Sequence, residues 1–262
     1  MISLVYVITT LHPFYLFLIV FAIMYLLAFI VLSLSKRIVS TKLWAPIQTP
    51  MMQLSGVFLA LLLVFLATNV LKDLSDAKSA VEHEANAIEK AAFLSAKLAP
   101  QDKSRFLKGL ESYLRQVAKS EWEIMQQGKD DVQAGQMLFD FQNQIELLDI
   151  SSKNGRADKL AETVQDIVVY RSNRIAASHD LVSPVTWGIV LLQTALIMLT
   201  VALVHYENHR SQVMALFIIS SVIAAVIFLI LYYDQPFANA ATNSRETFHL
   251  LIKKIAAMNA AP

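Results

Sequence analysis

Four long runs of apolar residues, none containing Asp, Glu, Lys or Arg, constrain this 262-residue chain more than any other feature. They occupy residues 14–34, 54–71, 185–204 and 213–233. A helix needs about 20 apolar residues to cross roughly 30 Å of hydrocarbon, so each run is long enough to span a bilayer. The pattern therefore predicts four transmembrane helices.

The charged residues are concentrated in one part of the chain. Residues 72–180 hold 15 of the 22 basic and 18 of the 21 acidic residues, whereas residues 1–35 hold none. We therefore expect an all-α polytopic membrane protein with four transmembrane helices in two hairpins and a helical soluble domain inserted between the second and third. The predicted parts are the first transmembrane hairpin at 1–71, the soluble domain at 72–182, the second hairpin at 183–234 and an amphipathic C-terminal tail at 235–262. A net charge of +1 gives no basic surface for nucleic acid, so none is expected as a partner.

Helical periodicity continues through the soluble segment. Apolar residues recur every three or four positions over residues 74–92, so the second span is expected to run on as one long helix. Asp102 is expected to be the N-cap of the next helix. Further helices are predicted at 131–150 and 160–175, and the latter is expected to continue directly into the third span.

The sidedness of the soluble domain is predicted from the basic residues of the short loops. Those loops hold Lys36, Arg37, Lys42 and Arg210, and the N-terminal segment holds no basic residue. The positive-inside rule therefore favours cytoplasmic loops and an external soluble domain. Basic residues beside the spans and in the tail favour the opposite orientation.

Residues that carry catalytic or metal chemistry are sparse. The four runs lack the ionisable groups on which membrane enzymes and proton-coupled transporters depend. His205 and His209 lie four apart beside Glu207, a spacing that could bind a metal but is more typical of a solvated loop. Asp73 and Asp76 lack a third acidic neighbour, which favours a solvated helical turn over a calcium site. We expect no catalytic residues, no metal and no cofactor.

Two groups of polar residues lie on the helices next to the second and third spans. By helical rise, both groups lie within about 20 Å of the bilayer. They are Glu82, Glu84 and Asn86 in the first group and Arg171, Arg174 and His179 in the second. They could form a selectivity ring for ions or an ion-pair network between two antiparallel helices, and we favour the network.

Several segments together resemble a known protein family. They are the run from Leu54 to Phe65, the block from Val81 to Ile88, the stretch from Arg174 to His179 with Pro184 and Trp187, and the ending Asp234-Gln235-Pro236-Phe237. These segments resemble the bacterial bestrophin-like domain family of unknown function. Asp234, Pro236 and Phe237 match the family's ending, whereas Gln235 replaces its usual arginine.

The resemblance implies a layout of two hairpins and a homo-oligomeric assembly. Bestrophins are pentameric anion channels whose second span lines a hydrophobic neck and whose helical domain lies in the cytoplasm. The corresponding candidates for a pore-lining constriction in this chain are Leu59, Leu62, Phe65 and Leu66. The implied partners are the lipid bilayer, further copies of the chain in a pentamer, and small inorganic ions. The implied location is the bacterial cytoplasmic (inner) membrane.

Two classes of function remain open from the sequence. The leading prediction is a bestrophin-like homo-oligomeric ion channel, for anions by resemblance, with its constriction on the second span. The alternative is a non-conducting membrane scaffold or sensor subunit whose helical domain binds a partner or ligand. A sensor would need a separate partner, because no output module follows the fourth span. An enzyme has little support.

Overall fold

A computed structural model describes residues 12–40, 49–126, 129–151, 156–179, 182–237 and 242–260. Within these residues the regular secondary structure is helical and no strand occurs, as predicted for an all-α chain. The helices are α1 (Pro13–Ser40), α2 (Thr49–Ser95), α3 (Pro100–Gln116), α4 (Trp122–Gln126), α5 (Val132–Ser151), α6 (Arg156–His179), α7 (Pro184–Val204), α8 (His209–Tyr233) and α9 (Thr242–Ala260). A π-helical turn, π1 (Val117–Glu121), joins α3 to α4.

Four of these helices, α1, α2, α7 and α8, are long and apolar enough to cross a membrane. The number of predicted spans is thus confirmed. Helix α2 has 47 residues, so its length of about 70 Å at 1.5 Å per residue is more than twice the thickness of a hydrocarbon core. This length confirms that the second span continues as one helix.

The chain forms two compact units. The membrane unit comprises Met1–Lys72 and Leu181–Asp234, and the charged unit comprises Asp73–Asp180 and Gln235–Pro262. In the membrane unit, α1 packs on α7 and α8, and α7 packs on α8. Buried residues of α1 recur every three or four positions, which places one side of this apolar helix in the unit's core. They are Leu16, Val20, Met24, Ala28 and Val31.

In the charged unit, α5 packs between α3 and α6, and α9 packs on α3. Helix α9 lies within residues 235–262, the segment predicted as the C-terminal tail. Its buried side chains Phe248, Leu251 and Ile255 belong to the same apolar core as Phe106 and Leu110 of α3. The described part of the tail is therefore an integral part of the charged unit.

The expectation that the last soluble helix runs directly into the third span is wrong. Helix α6 ends at His179, and α7 begins only at Pro184. Ser183 is extended, with φ −63° and ψ 147°, and its side chain accepts a hydrogen bond from the backbone N–H of Thr186. Proline disfavours a helical conformation in the preceding residue and has no N–H to continue the helix.

The start of α3 also differs from the prediction, because Asp102 is not its N-cap. The helix begins at Pro100, and Ala99 occupies the cap position with φ −59° and ψ 148°. Proline suits the first helical position because its φ is already close to the helical value. Asp102 lies instead in the first turn, where its negative charge is stabilised by the helix dipole.

Candidate functional site

A charged pair lies inside the charged unit. Glu84 of α2 and Arg174 of α6 have fully buried side chains. Arg174 Nε donates to Glu84 Oε2 at 2.6 Å, and Arg174 Nη2 donates to Glu84 Oε1 at 3.2 Å. Glu84 is buried because it lies three residues after Val81 and four before Ile88, on the inner face of α2. Arg174 and Glu84 therefore form a bidentate ion pair, a geometry to which the guanidinium group is well suited.

A second carboxylate, Glu121 of π1, joins this pair to another arginine. Glu121 Oε2 accepts from Arg174 Nη2 at 2.7 Å, and its Oε1 accepts from Arg171 Nε at 2.9 Å and from Arg171 Nη2. Glu84, Glu121, Arg171 and Arg174 form what we call the ion cluster. Two carboxylates and two guanidinium groups balance in charge, which is the condition under which buried charges are tolerated.

Aromatic and sulfur-containing side chains surround Arg174. Its Nη1 donates to Met125 Sδ at 2.6 Å, and its Cζ lies 5.5 Å from the centroid of the Phe248 ring. The Phe248 ring lies edge-on to Trp122, with centroids 6.1 Å apart. Because these groups are buried and weakly polar, the electrostatic attractions inside the cluster are stronger than they would be in water.

Tyr113 completes the cluster as a hydrogen-bond donor. Its Oη donates to Glu84 Oε1 at 2.7 Å. Burial raises the pKa of the Tyr113 phenol well above its usual value, and the negative charge of Glu84 raises it further. Burial alone would lower the pKa of Arg174, but attraction to Glu84 and Glu121 outweighs burial and raises it. At neutral pH, Tyr113 therefore stays protonated and Arg174 stays charged.

Asp131 begins α5 next to the ion cluster. Its Oδ1 accepts hydrogen bonds from the backbone N–H groups of Gln133 at 2.9 Å and Ala134 at 3.3 Å, as an N-cap does. Its Oδ2 accepts from Gln116 Nε2 at 2.8 Å, and its backbone carbonyl accepts from Arg171 Nη2 at 2.9 Å. Burial alone would raise the pKa of Asp131, but these side-chain and backbone hydrogen bonds lower it overall.

The structure brings together three of the six polar residues singled out in the sequence, namely Glu84, Arg171 and Arg174. Glu82 and Asn86 lie on the exposed face of α2, away from the ion cluster. His179 ends α6, but its side chain lies outside the described residues.

Glu121 and Tyr113 were not predicted from the sequence. A signal for Glu121 existed, because it follows Val117 by four residues and precedes Met125 by four, in a stripe that is otherwise apolar. A charged residue within such a stripe needs a buried partner of opposite charge. For Tyr113 no such signal exists, because a tyrosine in an apolar stripe is ordinary.

The ion cluster is suited to holding helices together rather than to binding a small molecule. Glu84, Glu121 and Arg174 are inaccessible to solvent, and their charges are already satisfied. Among the described residues, no group of three His, Asp or Glu side chains could hold a metal ion. The cluster joins α2, π1 and α6, and through the Phe248 ring it also contacts α9.

The four predicted pore residues lie on different faces of α2. Leu59 and Leu66 are buried, with Leu66 only 5% exposed, and they pack in the core of the membrane unit. Leu62 is partly buried against the same core, whereas the Phe65 side chain is 64% exposed. Over residues 54–71, the outward face of α2 is free of charge and largely apolar, with Thr68 and Asn69 exposed on it. Its large residues are Leu54, Val57, Phe58, Leu61, Val64, Phe65 and Leu71.

The three residues predicted as the ending motif, Asp234, Pro236 and Phe237, are all buried. Asp234 Oδ1 accepts a hydrogen bond from the backbone N–H of Val182 at 2.9 Å, which connects the end of α8 to the segment before α7. The Phe237 ring lies edge-on to Trp122, 5.5 Å between centroids, and its carbonyl accepts from Gln126 Nε2 at 3.2 Å.

The fold and contacts define an α-helical, multi-span membrane protein whose second span continues into a charged helical unit. A family model described as the Bestrophin-like domain matches residues 18–248. The chain therefore belongs to the bestrophin-like domain family. The resemblance predicted from the sequence is confirmed.

Two crystal structures of a bacterial bestrophin homologue from Klebsiella pneumoniae have a similar fold. One carries a leucine-to-threonine mutation and matches with a TM-score of 0.73 at 11% identity, covering 94% of this chain and 99% of that chain. The other carries an isoleucine-to-threonine mutation and matches with a TM-score of 0.69 at 13% identity, covering 93% and 99%. A search of curated proteins found no match.

Proposed function

We propose that this chain is the subunit of a homo-oligomeric ion channel of the bacterial inner membrane. Family membership and the bestrophin-like fold support a channel, and helical spans suit the inner membrane because outer-membrane proteins are built as barrels. The outward face of α2 is the observation that carries the proposal. Over residues 54–71 it presents an uncharged, largely apolar surface, with Thr68 and Asn69 as its exposed polar residues, that the described helices of the membrane unit leave uncovered.

In the proposed channel, α2 of each subunit faces a central axis. Phe65 then lines a constriction from which water is excluded while the pore is closed, and Leu62 lies beside it. Leu59 and Leu66 support this wall from behind, because they are buried within the same subunit. Of the four residues predicted for the constriction, the proposal therefore assigns Phe65 and Leu62 to the pore side of the helix.

We further propose five copies of the chain and anions as the permeating ions. Both properties follow from the resemblance to bestrophins, which are pentameric anion channels. The constriction carries no charge, so its apolar side chains would control whether water and ions enter rather than which ion passes. Chloride is the simplest ion with which to measure conduction.

Planar-bilayer recording of the purified oligomer tests the channel directly. With unequal KCl concentrations on the two sides, we expect single-channel currents that reverse near the chloride equilibrium potential. Reversal near the potassium equilibrium potential would show that the channel conducts cations rather than anions. The absence of current in every common salt, with the oligomer intact, would overturn the channel and leave the non-conducting scaffold.

Cysteine accessibility tests the assignment of the face, and the chain contains no native cysteine. Phe65→Cys and Leu66→Cys introduce thiols at adjacent positions with opposite exposure. A water-soluble, charged thiol reagent should reduce the current through Phe65→Cys channels and leave Leu66→Cys channels unchanged. Equal reaction at both positions would contradict a pore lined by the outward face of α2.

A further inference from the structure

On one surface of the charged unit, exposed neutral residues of two neighbouring helices lie side by side. Helices α5 and α6 pack side by side, and Gln142 Nε2 of α5 donates to Gln165 Oε1 of α6 at 2.7 Å. We call their outward positions the neutral face. It consists of Val132, Gln136, Phe139 and Asn143 on α5 and Gln165, Val169, Ser172, Asn173 and Ala176 on α6. Three acidic residues border this face, namely Asp140, Glu162 and Asp166. Asp140 accepts a hydrogen bond from Gln136 Nε2 at 3.0 Å, and Asp166 lies 3.9 Å from Lys90 Nζ.

The neutral face is also unusually apolar for a surface in contact with water. Val132 is 82% exposed and Phe139 is 55% exposed on α5, and Val169 is 45% exposed on α6. The remaining positions are amides, a hydroxyl and an alanine. Depletion of charge together with an exposed aromatic residue is typical of the centre of a protein–protein interface.

Other exposed surfaces of the charged unit have a different composition. The outer side of α3 and π1 presents four basic residues, Arg105, Lys108, Arg115 and Lys119. Two further large apolar side chains, Phe93 and Leu250, are exposed, but each has three charged residues within one helical turn. Those charged neighbours are Glu89, Lys90 and Lys97 around Phe93, and Glu246, Lys253 and Lys254 around Leu250. At that spacing Phe139 has no charged neighbour and Val169 has only Asp166. Single apolar residues among charges are ordinary surface features.

We infer that the neutral face contacts a second copy of this chain in the assembled oligomer. This inference rests on the proposed homo-oligomeric channel, which it extends by naming a contact surface outside the membrane-spanning helices. The neighbouring copy would cover Val132 and Phe139 and pair its own polar groups with the amides around them.

The size of the face favours a second copy over a separate soluble partner. Over twelve residues of α5, at 1.5 Å per residue and about 10 Å for each helix width, the face measures roughly 360 Å². A free-standing complex typically buries about 800 Å² on each partner. A neighbouring copy needs less contact area, because its own spans already hold it in the same membrane at a high effective concentration.

Photo-crosslinking of the full-length oligomer in lipid nanodiscs tests this inference. A benzophenone amino acid is placed at Phe139 or, as a control, at Leu250, which is equally exposed at 59%. We expect covalent dimers on a denaturing gel from position 139, several-fold more abundant than from position 250. Equal or greater dimer formation from position 250 would overturn the inference and leave the channel untouched.

A charge placed on the face gives an independent measurement. Val169→Asp should weaken subunit association at least about tenfold, because a carboxylate buried at an interface has no partner there. Leu250→Asp is the matched control and should associate like the wild type. Circular dichroism checks that both variants remain folded. An unchanged oligomer mass for Val169→Asp would contradict the inference, whereas a monomeric wild-type protein would overturn the proposed channel as well.

Discussion

The two units bury polar groups in different ways. In the membrane unit, neutral groups form several of the buried and half-buried polar contacts. Tyr25 and Ser221 share a hydrogen bond of 2.9 Å, and Gln212 Nε2 donates to the Ala202 carbonyl at 2.7 Å. In the charged unit, two carboxylates and two guanidinium groups are held together inside the fold.

The outer surfaces of the two units also differ in composition. Large apolar side chains such as Phe29 and Phe65 are exposed on the membrane unit, whereas the outer side of α3 in the charged unit is basic. Lipid solvates apolar surface and makes an ionised side chain very costly, while water does the reverse. Each unit therefore has a surface suited to a different solvent, and the buried ion pairs of Glu84, Glu121 and Arg174 lie in the charged unit.

Removing Arg174, the arginine at the centre of the ion cluster, should cause the largest loss of stability among the substitutions discussed below. Arg174→Leu leaves Glu84 and Glu121 buried without their shared partner, so we expect a loss of about 3–5 kcal/mol in the stability of the charged unit. Thermal unfolding in detergent, followed by circular dichroism, measures the loss. Arg105→Leu on the exposed side of α3 is the matched control and should change stability by no more than about 0.5 kcal/mol. Similar melting temperatures for the two variants would show that the ion cluster contributes little.

The ion cluster also marks how far the sequence could predict the site. Glu84 and Arg174 occupy apolar positions in helical patterns, so their burial and pairing could be expected from periodicity. Glu82 and Asn86 were grouped with them because proximity in sequence does not distinguish the two faces of a helix. Glu121 comes from a distant part of the chain, and only the packing of π1 against α6 brings its carboxylate to Arg174.

For the membrane unit, too, the sequence predicted some features of the spans and not others. Their number followed from length and composition alone, because the bilayer requires about 20 apolar residues for each span. Which face of the second span points into the core did not follow, because both faces of α2 are largely apolar over residues 54–71. Leu59 and Phe65 therefore looked alike as pore candidates, although only Phe65 is exposed.

Adjacent substitutions in α2 should separate stability from conduction. Leu66→Ala removes a side chain buried in the membrane unit and should cost about 2 kcal/mol or more. Phe65→Ala removes an exposed ring and should leave stability nearly unchanged while increasing the open probability or the conductance of the proposed channel. Thermal unfolding and bilayer recording of both variants give the two measurements. A large loss of stability in Phe65→Ala, with normal conduction, would reverse the assigned faces.

Glycines in the two units should respond differently to an added methyl group. A Cβ at Gly109 of α3 would lie 2.8 Å from Cε2 of Phe141, whose ring packs against Phe106 at 4.5 Å between centroids. Because that ring is held in the core, Gly109→Ala should destabilise the charged unit by about 1–3 kcal/mol.

The matched control lies in the membrane unit. A Cβ at Gly56 of α2 would lie 3.8 Å from Cδ1 of Ile197, an ordinary contact, so Gly56→Ala should be neutral or slightly stabilising. Thermal unfolding of the two variants makes the comparison. A greater loss for Gly56→Ala would mean that close approach of α2 and α7 matters more than packing against Phe141.

The smallest expected effect is at the N-cap of α5 and depends on pH. Because the folded-state pKa of Asp131 is lowered, its carboxylate adds stability above the usual Asp pKa of about 4, and that stability is lost as pH falls through the folded pKa. Asp131→Ala should cost about 1 kcal/mol at neutral pH, whereas Asp131→Asn keeps a good cap and should cost less. Urea unfolding at neutral and acidic pH measures both variants. The gap between wild type and Asp131→Asn should narrow in acid, and a gap that stays constant with pH would show that the charge of Asp131 does not stabilise α5.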